Sequence, residues 1–273
     1  MGFGLETYKE RASRLHWDDL DFGAFAERPL DADALRCVRY MHDVEYHTIC
    51  YLRDLLVTPA HADPEVTAFL SMWAFEELWH GEALGAVLAA HGIADGTAQL
   101  ADLRTGLGWR DRVRPLLLGL GGWMAGRDVV AVEMAWGALN DSTTQAGYSL
   151  LGRKSGHPVL KELLGRIMRQ EGRHLDFYTR QATRRLATSG RAQRLARASL
   201  RHLWKPVGSG IMATEETRFL LRYLMGDAGG RETARRLDAR FDRIPGMGGL
   251  GLVTRAVTAA GQPPALASSE AQS

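Results

Sequence analysis

The sequence predicts an all-α protein, on three observations. Apolar residues recur at helical spacing through most of the 273 positions, no stretch shows the strict apolar and polar alternation of half-buried strands, and the periodic segments start and stop at clear punctuation. The length suits one large domain over residues 1–260. Within it, core helices are expected across about 31–188 and a helical extension across about 190–260. The closing "GQPPALASSEAQS" at 261–273 has the polarity and proline content of a disordered tail.

The first thirty residues are mixed, with Trp17, Phe22 and Phe25 available to pack as an N-terminal arm. A first core helix is predicted from about Asp31 to Leu56, ending before the turn "TPAHADP". Its stripe runs Leu35, Val38, Met41, Ile49, Leu52 and Leu56, and Glu45 falls inside it, four residues from Met41 and four from Ile49. Asp63 caps a second helix and Pro64 suits its first position. That helix runs to about His91, with Phe69, Trp73, Glu77, His80, Leu84 and Val87 in phase, and "HGIADG" stops it.

A long, irregular connection from Gly92 to about Gly126 is expected to cross one end of the helices, and it includes the apolar run "PLLLGLGGWMAG". A third helix follows from about Arg127 to Leu151, with Val129, Val130, Trp136 and Tyr148 near its inner face and Glu133 among them. After "GRKSGHP", Pro158 opens a fourth helix to about Ala187, whose stripe of Leu160, Leu163, Leu164, Ile167, Leu175 and Tyr178 also holds Glu171 and His174. Three amphipathic segments beyond Ser189 read as appended helices.

The inward carboxylates need an explanation. Burying an unpaired carboxylate costs several kcal/mol, so four of them call for cations. The order along the chain is Glu45, then Glu77-x-x-His80, then Glu133, then Glu171-x-x-His174. It matches the ligand set of ferritin-like di-iron carboxylate proteins: one Glu from each of two helices and a Glu-x-x-His from each of two others. Residues three apart share a helix face, so the Glu of each pair can bridge two metals while its His binds one of them. A single Glu-x-x-His arises readily by chance; two on apolar stripes, each preceded by an in-phase Glu, do not. The expected metal ligands, catalytic through the metals, are Glu45, Glu77, His80, Glu133, Glu171 and His174. Such donors accept two Fe ions or a manganese and iron pair.

Composition excludes several classes. The net charge of +2, from 34 basic and 32 acidic residues, is not that of a nucleic-acid-wrapping polycation. The apolar run at 115–126 falls short of the roughly 18 residues of a membrane span. Cys37 and Cys50 make no thiol metal motif, and "MGFGLETYKERASR" has no signal-peptide core, so a cytoplasmic location is expected.

"WAFEELWHGEAL" at 73–84 resembles the first Glu-x-x-His helix of the soluble acyl-carrier-protein desaturases, especially the compact actinobacterial type, and "HPVLKELLGRIMRQEGRHLDFY" at 157–178 is similar to the second. The likeness covers about residues 30–188. It implies a ferritin-like four-helix core inside a larger helical domain, a homodimer, and O2 activation at two irons. It also implies removal of two hydrogens from an acyl thioester borne by acyl carrier protein. Electrons would come from a separate ferredoxin or reductase, since the chain carries no flavin or NAD fingerprint. Two departures bear on the reaction. Gln170 stands where that family places an acid supporting a ligand histidine, and Trp136 where it places a threonine one turn after the third-helix glutamate. Hydroxylation and N-oxidation therefore stand beside desaturation as outcomes.

Two other classes share these ligands. One is a ferroxidase or peroxide scavenger of the ferritin and rubrerythrin kind, although two cysteines cannot build the rubrerythrin iron module. The other is a metal-stabilised bundle without redox chemistry. Further candidates are His42, read as an exposed histidine or an extra ligand, and His47. Trp73, Trp79, Trp136, Phe177 and Tyr178 read as core or cavity lining. Arg184, Arg185, Arg191, Arg194, Arg197 and Arg201 read as a solvated face or a docking face for an acidic carrier.

Overall fold

A computed structural model of the chain describes residues 5–93 and 109–262. Among these residues eleven helices follow one another: α1 (Leu5–Arg11), α2 (Ala24–Glu27), α3 (Ala32–Leu56), α4 (Pro64–Ala90), α5 (Trp109–Ala125), α6 (Asp128–Ser155), α7 (Pro158–Thr188), α8 (Gly190–Leu203), α9 (Thr214–Met225), α10 (Ala228–Phe241) and α11 (Leu252–Gly261). A 3-10 turn, Pro59–Ala62, joins α3 to α4. There is no strand among the described residues, so the all-α prediction holds.

The punctuation acts as its chemistry requires. Asp31 accepts a hydrogen bond from the Ala34 amide at 2.7 Å, and Asp63 accepts from Glu65 and Val66, each at 3.1 Å, filling donors that a helix start leaves unpaired. Pro158 occupies the first turn of α7, behind the His157 cap. Between α6 and α7 the chain reverses at Gly156, whose φ of 60° lies in the left-handed region open to glycine.

The short connections make α3 with α4, and α6 with α7, two packed hairpins; contacts of α3 with α6 and of α4 with α7 close the set on all four sides. Glu133, near the start of α6, meets Thr58 at the 3-10 turn, so α6 runs in the direction of α4. Before it, α5 packs on α3, the 3-10 turn and α6. The connection expected to be irregular is thus helical from Trp109; Leu100 and Leu103 lie outside the described residues. Aromatic stacking seals α4 to α7: the Phe69 and Phe177 rings are 3.9 Å apart at 9°, and such buried rings are each worth about 1.5–3 kcal/mol.

The buried apolar side chains, from Tyr8 in α1 to Val257 in α11, form one connected cluster. The segment beyond Ser189 supplies four helices, one more than expected: α8 lies along α6, while α9, α10 and α11 pack together. The expected tail beyond Gln262 lies outside the described residues. Ile49 and Leu56, assigned to the inner stripe of α3, are 52% and 41% exposed, whereas Val38, Met41 and Glu45, earlier on the same side of the helix, are buried. No described helix is long and apolar enough to cross a membrane.

Candidate metal centre

Each long helix delivers one carboxylate to the same height. Glu45, Glu77, Asp141 and Glu171 each stand thirteen residues past the first residue of α3, α4, α6 and α7 respectively, about 20 Å along the axis at 1.5 Å per residue. Helices of similar length packed side by side bring equal depths to one level. One group, Glu45, Glu77, His80 and Glu171, offers atoms all within 4.8 Å of one another, and so does a second, Asp141, Glu171 and His174. Every member is buried.

The two histidines face each other across this cluster. His80 Nδ1 lies 3.3 Å from Glu171 Oε1, 3.9 Å from Glu45 Oε2 and 4.0 Å from Glu77 Oε2. His174 Nδ1 lies 3.2 Å from Glu77 Oε1 and 3.6 Å from Glu171 Oε2. Glu77 and Glu171 therefore turn one oxygen to each histidine, while Glu45 belongs to the His80 side and Asp141 to the His174 side.

Partners on the outer ring atoms set the tautomers. His80 Nε2 is 2.9 Å from Gln170 Oε1, and the Gln170 amide nitrogen donates to the Ser13 carbonyl at 2.9 Å. That donation leaves Gln170 Oε1 as an acceptor, so His80 carries its proton on Nε2. His174 Nε2 is 2.8 Å from Glu76 Oε2, an acceptor that also receives the Tyr8 hydroxyl at 2.8 Å. Arg173 holds the other Glu76 oxygen at 2.5 Å. Neither Nδ1 has a hydrogen-bond partner, and Asp141 Oδ2 has none either. Imidazoles anchored by their outer N–H with a bare inner nitrogen are how histidines present themselves to metals.

The electrostatics report an excess of negative charge. Burial, then the Glu45 and Glu171 charges, push Glu77 well above the carboxylate range. Burial and the Glu171 charge do the same to Asp141. Burial would lower His174, but contacts with Glu171, Glu76 and Glu77 raise it well above its ordinary value. Protons on these groups balance the cluster, which is the role divalent cations would take. The bare inner atoms and the two carboxylates that face both histidines fit a pair of such cations: Glu45 and His80 would hold one, Asp141 and His174 the other, with Glu77 and Glu171 available to both.

Five of the six expected ligands come together. Glu133 does not: it is five residues into α6, about 12 Å short of the common level, where it faces Thr58 at the end of the helices and burial raises it to about 8. Asp141 stands at the level Glu133 was expected to fill. Asp141 is spaced seven from Met134 and Tyr148, both buried, but Glu133 also lies among apolar residues, so the pattern along α6 does not single out either one. The threonine position counted from Glu133 moves as well. Trp136 donates to Ser199 in α8 at 3.1 Å, and the residue one turn after Asp141 is Thr144.

His42 is fully buried, not exposed; its Nδ1 is 2.8 Å from Asp43 Oδ1. Trp73, Phe177 and Tyr178 are core, and Trp79 packs on Trp17 with centroids 6.1 Å apart. Much of the arginine face is engaged within the chain. Arg184 pairs with Glu65 at 2.8 Å, Arg185 with Asp63 at 2.5 Å and Arg191 with Asp128 at 3.0 Å, and Arg197 donates to the carbonyls of Gly246 and Gly248.

A mostly apolar cavity of about 70 Å³ opens beside the cluster. Its walls come from α3, α6, α9, α11 and the segment after α8, including Met41, Val44, Thr144, Trp204, Leu224 and Val253. Glu45 and Tyr148 form the wall nearest the centre, and the Tyr148 hydroxyl donates to Glu45 Oε1. Sequence reasoning had not identified Tyr148 as part of the site. No protein family, curated protein or solved structure matches this chain.

Proposed function

We propose that this protein is an O2-dependent oxidase with a ferritin-like four-helix core and a di-iron centre, acting on a C–H bond of an apolar, acyl-thioester-like substrate by desaturation or hydroxylation. The observation that carries this reading is the position of Glu45, which belongs both to the carboxylate and histidine cluster and to the wall of the apolar cavity. A centre used only to oxidise iron or remove peroxide has no need of an apolar cavity at its edge, and apolar hollows with a few polar groups are where small ligands bind.

Two ferrous ions, when bound, would supply the electrons that reduce O2 and the oxidising power for a strong C–H bond. The chain's own residues do the rest. Met41, Val44, Leu224 and Val253 exclude water and hold the substrate by contact. Tyr148 keeps one Glu45 oxygen occupied, so that the other faces the cluster. Gln170 and Glu76 hold the two imidazoles in the ligand tautomer. Electrons come from an external ferredoxin or reductase, and the thioester from an acyl carrier protein in the cytoplasm. The homodimer implied by the resemblance has a face to use: α5 exposes Leu116, Leu117, Leu120, Trp123 and Met124, roughly 700 Å² of apolar surface on ordinary side-chain areas, close to one side of a standard interface.

The test is anaerobic ferrous loading followed by rapid mixing with O2, read by absorbance, with and without acyl-carrier-protein thioesters. The expected result is two irons per chain and O2 decay that a matching thioester accelerates. Decay indifferent to every thioester favours the ferroxidase alternative, and metal binding without O2 decay favours the metal-stabilised bundle.

A further inference from the structure

The two halves of the cluster are alike in their inner ligands and unlike in what stands behind and beside them. Each half has one histidine, one carboxylate of its own, and a share in Glu77 and Glu171. Behind His174 stands a carboxylate, Glu76, fully buried and 2.8 Å from Nε2. Behind His80 stands a neutral amide, Gln170, 2.9 Å from Nε2. Both residues immediately precede the glutamate of a Glu-x-x-His pair, and each supports the histidine of the other pair.

We infer that the two metal positions are unequal: the His174, Asp141 position is the tight one that fills first, and the His80, Glu45 position is the weaker, exchangeable one that faces the substrate cavity. This inference rests on the two-metal reading of the cluster.

The physical reasons are three. A carboxylate accepting the outer imidazole N–H makes the inner nitrogen a stronger donor than an amide does, and losing such a partner typically costs about 10–100-fold in metal affinity. Arg173 tempers the Glu76 charge but holds the opposite oxygen, Oε1, leaving Oε2 to His174 and the Tyr8 hydroxyl. The terminal ligands differ in the same sense. Asp141 Oδ2 is buried with no hydrogen-bond partner, whereas Tyr148 already draws on Glu45 Oε1. Finally, Glu45 is the cluster member in the cavity wall, so the weaker position is the one beside the substrate.

The experiment is calorimetric titration of the metal-free full chain with Co(II), followed in parallel by the visible d–d absorption. Two steps are expected, their affinities differing by about 10–100-fold. Glu76→Gln should weaken the tighter step by a similar factor and merge the two. Gln170→Glu, which leaves Glu76 and its partners intact, should tighten the weaker step about 10-fold and narrow the gap, so the inference stays testable if Glu76→Gln does not fold. Two equal sites in the wild type, or Gln170→Glu acting equally on both steps, overturns the inequality while leaving the two-metal reading intact. No Co(II) binding overturns the two-metal reading and the inference with it.

Discussion

Glu76 lies beside Glu77 on α4, yet its carboxylate points away from the cluster and takes the outer N–H of His174, on α7, at 2.8 Å. Consecutive helical residues project about 100° apart, so one glutamate can face the cluster while its neighbour reaches around to hold the opposite histidine. Gln170 does the same for His80 from α7. The Glu-x-x-His pairs are thus interlocked: each helix supplies an inner ligand and the outer support of its partner's imidazole.

Removing a bridging carboxylate should empty both positions, whereas removing a terminal ligand should empty one. Glu171→Gln is expected to reduce bound metal from two per chain to near zero, and Asp141→Asn from two to one, measured by elemental analysis after anaerobic loading and desalting. Chelation of the wild type should lower the melting temperature, since metal bound only by the folded state stabilises it.

Glu133 should prove dispensable for metal and costly for stability. Its folded-state value of about 8 lies above that of an unfolded glutamate, so the folded chain keeps a proton that the unfolded chain releases. Stability from this group is present below about pH 4.5, falls as pH rises, and is fully lost above about pH 8. Glu133→Gln is expected to leave two metals per chain. Because the side chain is partly exposed, the gain at pH 8 is on the order of 1–2 kcal/mol, shrinking to nothing near pH 4, as read by urea denaturation across pH.

Filling the cavity should separate substrate chemistry from iron chemistry. Leu224→Trp projects bulk into the chamber without touching a ligand of the cluster. It is expected to abolish thioester acceleration of O2 decay in stopped-flow measurements while metal content stays at two.

Gly137 is a packing test of the α6 and α7 contact. A Cβ built there falls 2.3 Å from the Tyr178 ring, which is held edge-on to Phe69 with centroids 4.9 Å apart. Gly137→Ala should destabilise the fold by about 1–3 kcal/mol through overpacking, measured by denaturant midpoint.

The α5 stripe offers a test of assembly. The proposed dimer predicts that replacing both Leu120 and Trp123, which are 57% and 78% exposed, with Asp converts a dimeric wild type to a monomer in sedimentation at micromolar concentration, with metal content unchanged.

How much of this was legible in the chain can be judged helix by helix. The boundaries of α3, α4 and α7 follow from Asp31, Asp63 with Pro64, and Pro158, because caps and prolines act over a few residues of local backbone. The pairs Glu77 with His80 and Glu171 with His174 were legible for the same reason: three-residue spacing on one apolar stripe is a property of a single helix. On α6 the stripe is ambiguous, since Glu133 and Asp141 both interrupt apolar residues, and phase alone favours neither.

The amino-acid order by itself determined the all-α class, the long helices, and which faces of α4 and α7 carry the Glu-x-x-His pairs, since these depend on interactions within a few turns of one segment. Only tertiary structure decided between Asp141 and Glu133, because that choice depends on height along α6 relative to three other helices. It also decided which residue supports which histidine, and that α9 and α11 wall a chamber against Glu45. Those are contacts between segments as far apart in sequence as Glu45 and Ala256, and periodicity within a segment says nothing about the level at which it meets another.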